Sequence, residues 1–259
     1  MKEDRGTEAA RTIWRAWSGG ARIGALPDSC RPRDLAAGHA AQAALAPYAG
    51  ATIGWKIAAT SAEGQRHIGV THPLAGRLFA RFAHADGAEL DAAPMHMRVA
   101  EPELVFRFGR ELPPREAEYE RPEVLAAVAA LHLAIEVPDS RFQDFAAAGA
   151  PQLLADAACA GHFVLGRAVP DWRSRDLPAQ AVAIAGMDGH VHHGTGANVL
   201  GDPVAGLLWL VNDCRVRGIG LRDGEVVTTG TCAKPMPIAP GARVTATFDG
   251  LGAVTVRFA

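Results

Sequence analysis

The sequence predicts a mixed α+β protein with a β-rich core behind an N-terminal helical arm. Three observations carry this expectation. Residues 1–50 hold two stretches of helical periodicity and no strand pattern. From residue 51 onward, short alternating or continuously apolar runs outnumber helical ones. Strands and helices also fail to alternate regularly, as a doubly wound parallel sheet requires. The expected division is an arm over 1–50 and a β-rich domain over 51–259, the two forming one structural unit.

The elements follow in order. Residues 7–18 put Ile13, Trp14 and Trp17 on one helical face, and Gly19-Gly20 ends that helix. Residues 33–46 read as a second, alanine-rich helix that begins near Asp34 and is stopped by Pro47. In residues 51–59, Ile53, Trp55 and Ile57 alternate with Gly54, Lys56 and Ala58, which is a strand pattern. Residues 76–82 and 98–109 read as strands, residues 122–132 as a helix with Pro122 at its entry, and residues 133–137 as a buried strand stopped by Pro138. Residues 151–166 mix a short helix with a strand. Residues 181–194 read as a hairpin about Asp188-Gly189, and residues 202–218 as an amphipathic helix ending at Gly218. Three short strands, within 221–231, 242–250 and 251–259, close the chain.

Composition excludes several function classes. The chain has 259 residues, 49% hydrophobic and 21% charged, which is ordinary for a globular protein. The formal net charge of −2 lacks the basic excess that phosphate neutralisation needs, so no nucleic-acid partner is expected. No apolar run reaches the roughly 18 residues of a membrane span. The N-terminal stretch lacks the apolar centre of a signal peptide. Four widely separated cysteines (Cys30, Cys159, Cys214, Cys232) form no CxxC pair, which speaks against a disulfide framework and fits a reducing cytoplasm. No glycine-rich phosphate loop follows a strand, and no G-x-S-x-G elbow is present.

Glu101-Pro102-Glu103 is the feature that needs explaining. Two residues apart on a strand, both carboxylates project to one face, in a strand that continues as Leu104, Val105, Phe106 and Phe108. Like charges in a partly buried place repel, and a divalent cation removes that cost. The alternative is an exposed edge strand carrying two unrelated glutamates. Glu136 lies in an apolar strand, and an ionised glutamate is rarely buried without a partner. It either joins the first two carboxylates or pairs with a basic residue such as Arg141. Lys56 stands between Trp55 and Ile57, and is one of three lysines among 26 basic residues. Arginine is the default cation of this chain, so a retained lysine suits a role needing a proton that can leave. The alternative is a lysine snorkelling to the surface.

Taken together, Gln42 and the segments GWKIAATS (54–61), GVTHPLAGRL (69–78), AEPELVFRFG (100–109), LAIEVPDSRFQDF (133–145), LADAACAGHFVLG (154–166), VLGDPVAGLLWLVN (199–212), LRDGEVVTTGT (221–231) and LGAVTVRF (251–258) resemble the 2-keto-4-pentenoate hydratase and 4-oxalocrotonate decarboxylase family of the fumarylacetoacetate hydrolase superfamily, in order and spacing over most of the chain. The resemblance implies a mixed β-roll with a helical arm and a catalytic domain over 51–259. It implies one Mg²⁺ or Mn²⁺ held by Glu101, Glu103 and Glu136, and Lys56 lining the active site. Thr229, Gly230 and Thr231 would face a small 2-oxo acid substrate. It further implies a homo-oligomer and a metal-dependent hydratase acting on a 2-hydroxy-2,4-dienoate, with decarboxylation of a 4-oxalocrotonate-type acid, or a non-catalytic homologue, as alternatives.

Two departures stand out. The family's P-D-[FY]-G is here Pro73-Leu74-Ala75-Gly76, and its A-D-N-A-S is Ala155-Asp156-Ala157-Ala158-Cys159. Leu74, Ala157 and Cys159 therefore imply a less polar pocket. His190, His192 and His193 beside the Asp188-Gly189 turn are expected to be exposed and not to bind metal. Neither Cys159 nor Cys232 has a basic partner marking it as a nucleophile.

Overall fold

The computed structural model describes residues 4–186 and 189–259. Its helices are α1 (Arg5–Gly19), α2 (Leu35–Ala43), α3 (Ala46–Ala49), α4 (Ala62–His67), α5 (Arg121–Ala127), α6 (Ala150–Ala155) and α7 (Pro203–Val216). Its strands are β1 (Thr52–Ala58), β2 (Leu74–Phe79), β3 (Ala83–Ala85), β4 (Glu89–Leu90), β5 (Val99–Phe108), β6 (Val128–Val137), β7 (His162–Ala168), β8 (Ala181–Ala185), β9 (Val191–Thr195), β10 (Val226–Thr231), β11 (Met236–Pro237), β12 (Arg243–Phe248) and β13 (Gly252–Phe258). No helix among the described residues is long and apolar enough to cross a membrane.

The strands form two sheets, as the mixed α+β expectation requires. The larger runs β2-β1-β10-β5-β6-β7-β3, with β11 added beside β5. The smaller runs β4-β13-β12-β8-β9. One face of the large sheet presents Trp55, Leu104, Phe106, Leu133, Ile135 and Val227 to a single core shared with α7 and with Val244, Ala246, Val254 and Val256 of the small sheet. Packing is close at the seam: a Cβ on Gly166 of β7 would come within 2.4 Å of the Val254 side chain. The opposite face of the large sheet carries the polar groups described below.

The arm packs on the rest of the chain. Asp4 caps α1, and Ala9, Ala10 and Ile13 meet Phe79, Phe142 and Ala155 in a second apolar cluster. Asp34 caps α2, as its position predicts. The buried Gln42 amide donates to Ala75 O and Leu154 O, which pins α2 to β2 and α6.

Several boundaries differ from expectation. The helix expected over 122–132 ends at Ala127, and Val128 to His132 belong to β6. The run Val128–Leu133 satisfies either period, and pairing with β5 decides for strand. Pro47 does not stop α2, which ends at Ala43; it sits in the first turn of α3, where a missing N–H costs nothing. Residues 80–82 form a 3₁₀ turn after β2 rather than continuing the strand. The hairpin of β8 and β9 is present, but Asp188 of its expected turn lies outside the described residues.

Candidate active site

The register of four adjacent strands builds the site. Glu101 of β5 pairs with Glu136 of β6. Glu103 pairs with Thr231 of β10, and Lys56 of β1 pairs with Thr228 of β10. Paired residues in a sheet share a face, so Lys56, Thr228, Glu101, Glu103 and Glu136 converge above the same surface. One carboxylate oxygen from each glutamate lies within 4.8 Å of the others, and this is the one such acidic group among the described residues. Strand β5 lies inside the sheet, flanked by β10 and β6, so the exposed-edge alternative falls.

Burial makes these charges costly. Glu103 and Glu136 are 0% and 1% exposed, while Glu101 keeps partial exposure at the mouth of the site. Desolvation, then the charge of Glu136, raises Glu101 to about 7, with Lys56 opposing. Desolvation and then Glu136 and Glu101 push Glu103 well above the usual carboxylate range, against Lys56 and the Gly230 N–H. Lys56 Nζ stands 3.0 Å from Glu136 Oε1 and donates to Ala158 O at 3.1 Å. Burial works against its ammonium, but Glu136 and Glu101 outweigh burial, and the net shift is upward. Lys56 is 3% exposed, so it is not a snorkelling lysine.

Glu103 is oriented by groups that sequence reasoning missed. A bulge in β10 between Thr228 and Thr231 turns both the Thr228 hydroxyl and the Gly230 N–H onto Glu103 Oε2. Gly230 has φ +109, and a Cβ there would fall 2.2 Å from Thr60 Oγ1, so this N–H requires glycine. Thr229 points to the other face and donates to Leu104 O at 2.9 Å, while Thr231 donates to Ala233 O. The signal for Thr228 was present in the alternation of VVTTGT, but only the β10–β5 register shows which threonine meets Glu103.

The donor set fits a divalent cation. Glu103 Oε1 and Glu136 Oε2 are buried and accept no hydrogen bond from any described residue, and Glu136 Oε1 has only the Lys56 ammonium beside it. Buried carboxylate oxygens left without donors are the arrangement that a hard cation satisfies.

Arg141 does not pair with Glu136. It is fully buried against Asp156, donates also to Ala160 O and Asp156 O, and lies 3.8 Å over the Trp17 ring. Asp156 additionally accepts from Ser140 Oγ and the Arg141 N–H. This network clamps the turn 157–159, in which Ala157, Ala158 and Cys159 all have positive φ (49, 52 and 61°). Three left-handed non-glycine residues in a row are costly, at about 1–3 kcal/mol each, and persist only under such constraint. The turn carries the carbonyl that holds Lys56. It also seats against Gly76, whose Cβ would lie 2.0 Å from Ala157 O. Asp156→Asn breaks a buried pair and strands Arg141, so chemical denaturation should show a loss of about 3–5 kcal/mol. A loss under 1 kcal/mol would remove the clamp from the account.

Leu74 pairs with Ala58 as Gly76 pairs with Lys56, so its side chain lies on the Lys56 face two residues along. It is buried with Leu153, Leu154, Ala158 and Cys159, against Ile68, Val70, Met97 and Phe145. Desolvation, reinforced by Asp156, pushes the Cys159 thiol up to about 12, which is far from a nucleophile. Burial likewise raises Cys232. His190 and His193 are exposed, and His192 bonds Lys234 O through Nδ1.

The chain is similar to known proteins in sequence and in fold. A family model described as fumarylacetoacetate (FAA) hydrolase C-terminal matches residues 59–259. The chain is 32% identical over 254 residues to a 2-keto-4-pentenoate hydratase of Burkholderia vietnamiensis (strain G4 / LMG 22486), covering 96% of this chain and 95% of that protein. It is 30% identical over 206 residues to a 4-oxalocrotonate decarboxylase of a Pseudomonas species, covering 78% of this chain and 77% of that protein. The solved structure of 4-oxalocrotonate decarboxylase from Pseudomonas putida G7, complexed with magnesium and adipate, superposes with a TM-score of 0.90 at 26% identity, covering 100% of this chain and 99% of that one.

Proposed function

The chain belongs to the fumarylacetoacetate hydrolase family, and on that premise we propose that it is a divalent-metal-dependent hydratase that adds water to a 2-hydroxy-2,4-dienoate of the 2-keto-4-pentenoate type. The observation that carries this is the convergence of Glu101, Glu103 and Glu136 with Lys56 on one sheet face. Hydratases of this name recur among its relatives at 28–32% identity.

Glu101, Glu103 and Glu136 would hold Mg²⁺ or Mn²⁺. When bound, the cation supplies positive charge that compensates the carboxylates and polarises the substrate's own carboxylate and 2-oxygen. The chain's residues do the rest. Thr228 and Gly230 fix Glu103, and Thr231 and Gly230 line the approach to it. Lys56, kept protonated beside Glu136, delivers a proton to C5 of the dienoate, and the 2-hydroxyl gives one up, leaving a 2-oxo-3-enoate. Water then adds across C3=C4, its oxygen going to C4 and its proton to C3, and the product is a 4-hydroxy-2-oxo acid. The division into an arm over 1–50 and a catalytic domain over 51–259, a homo-oligomeric state and a cytoplasmic location belong to the same reading.

Decarboxylation of a 4-oxalocrotonate-type acid is the second reading, supported by the relatives of that name. The side chains beside Lys56 speak for the first. Leu74, Ala58 and Cys159 present an uncharged wall to a second substrate carboxylate, and Lys56 and Arg141 are already paired with Glu136 and Asp156. Stranding a carboxylate against such a wall costs several kcal/mol. Steady-state assays with Mn²⁺ should therefore show kcat/KM for 2-hydroxypenta-2,4-dienoate exceeding that for 4-oxalocrotonate by roughly 10²-fold or more. Faster CO₂ release from 4-oxalocrotonate than hydration of the dienoate would overturn the reading.

A further inference from the structure

On the face of β1 turned away from Lys56, a cleft of 520 Å³ opens between α2, the C-terminal end of α7 and the β1–β2 edge of the large sheet. Trp55 pairs with Arg77 across that edge. Strand alternation sends both side chains away from Lys56 and Gly76. The Arg77 guanidinium lies 3.6 Å from the Trp55 ring centroid, and that of Arg217 lies 5.0 Å from it.

The two cations differ in what they are bonded to. Arg217 donates to Asp213 and to Nδ1 of His39. Burial, then the charge of Arg217, lowers His39 to about 4, so its ring is neutral and accepts that bond. Arg77 is different. Its nearest acidic oxygen is Glu225 Oε1 at 3.9 Å, beyond hydrogen-bond reach, and the other Glu225 oxygen is taken by the Arg222 N–H. Arg77 donates no side-chain hydrogen bond to a described residue, and its side chain is 19% exposed, open to the cleft. A guanidinium held 3.6 Å over an indole with its fork vacant is preorganised for a planar anion. Trp55 Nε1, buried in the same wall, also lacks a partner. Leu35, Ala40, Ala43 and Ile219 give the cleft an apolar stretch of lining, beside His39, Gln42 and the Asp213 that Arg217 neutralises.

We propose that this cleft is a second binding site, on the reverse side of the sheet from the carboxylates, for a small organic anion with a carboxylate head and an apolar body. The head engages the Arg77 fork and the body lies along α2. Glu225 offsets part of the Arg77 charge, so affinity is modest and falls with salt. The site stands whether or not the proposed hydratase activity does.

The test is calorimetric titration of the full chain, in metal-free buffer, with sodium hexanoate as probe. Saturable binding is expected in the wild type and, undiminished, in Lys56→Met, which disturbs only the other face. Arg77→Gln should weaken it roughly tenfold or more, the scale of a lost charge-assisted bidentate contact. Ala40→Leu, which fills the cleft from an exposed position, should weaken it without touching Arg77. Unchanged Mn²⁺ titration in both variants establishes that they are folded. Absence of saturable binding in the wild type overturns the proposal. So does wild-type affinity in both cleft variants, or loss of binding in Lys56→Met instead.

Discussion

Lys56→Met is expected to lower kcat by roughly 10²–10⁴, the range of a general acid–base group, while Mn²⁺ affinity is retained. The second half of that expectation separates Lys56 from the metal ligands: its ammonium faces Glu136 but is no donor to a cation. Lys56→Arg would not discriminate anchoring from proton transfer. The lysine stem runs so close to Gly76 that a Cβ there would meet Lys56 Cδ at 3.0 Å, and the head is 3% exposed, so a guanidinium lacks room. Lys56→Cys alkylated with bromoethylamine restores an amine of nearly the same length. It should recover much of kcat if a proton is moved. Near-wild-type kcat in Lys56→Met would return Lys56 to a structural role.

Glu103→Gln and Glu136→Gln are expected to have the larger effect on metal. Each should weaken Mn²⁺ by more than the roughly 10–100-fold that the loss of an outer-shell partner costs, and should abolish turnover. In Glu103→Gln a neutral amide replaces one of three crowded carboxylates and relieves repulsion in the metal-free chain, whereas Glu136→Gln also removes the counter-charge of Lys56. Without metal, the thermal midpoint of Glu103→Gln should match or exceed the wild type, that of Glu136→Gln should fall because the buried Lys56 loses its nearest partner, and added Mn²⁺ should stabilise the wild type alone. Calorimetry giving unchanged Mn²⁺ affinity in both variants would remove these residues from the site. Glu101→Gln, at the partly exposed mouth, should show the same trend.

What was legible in the sequence follows from the range over which the physics acts. The E-x-E pair could be placed on one face because strand alternation is local, and Asp34 could be placed at a cap for the same reason. The end of the 121–127 helix was not legible, since Val128-Ala129-Ala130-Leu131 fits either period and takes its form from β5. The partner of Arg141 was equally hidden: Glu136 is closer in sequence, but the turn that follows α6 brings Asp156 to it instead. Thr228 and the left-handed turn at 157–159 also depend on contacts between distant segments. Only the resemblance of whole segments to a known family could anticipate that Glu136 joins Glu101 and Glu103.

The parallel pairing of β1 with β10 sets the order in which this site can be assembled during synthesis. Gly54 aligns with Val226, so the strand that carries Lys56 has no neighbour on that side until most of the chain has left the ribosome. The β5–β6 pair, separated only by residues 109–127, can bring Glu101, Glu103 and Glu136 together much earlier. Closing so long a loop is slow compared with forming that local pair. A nascent chain therefore presents three crowded carboxylates before it has the lysine and threonine that steady them. In that interval their repulsion is relieved only by protonation or by cations from the surrounding solution.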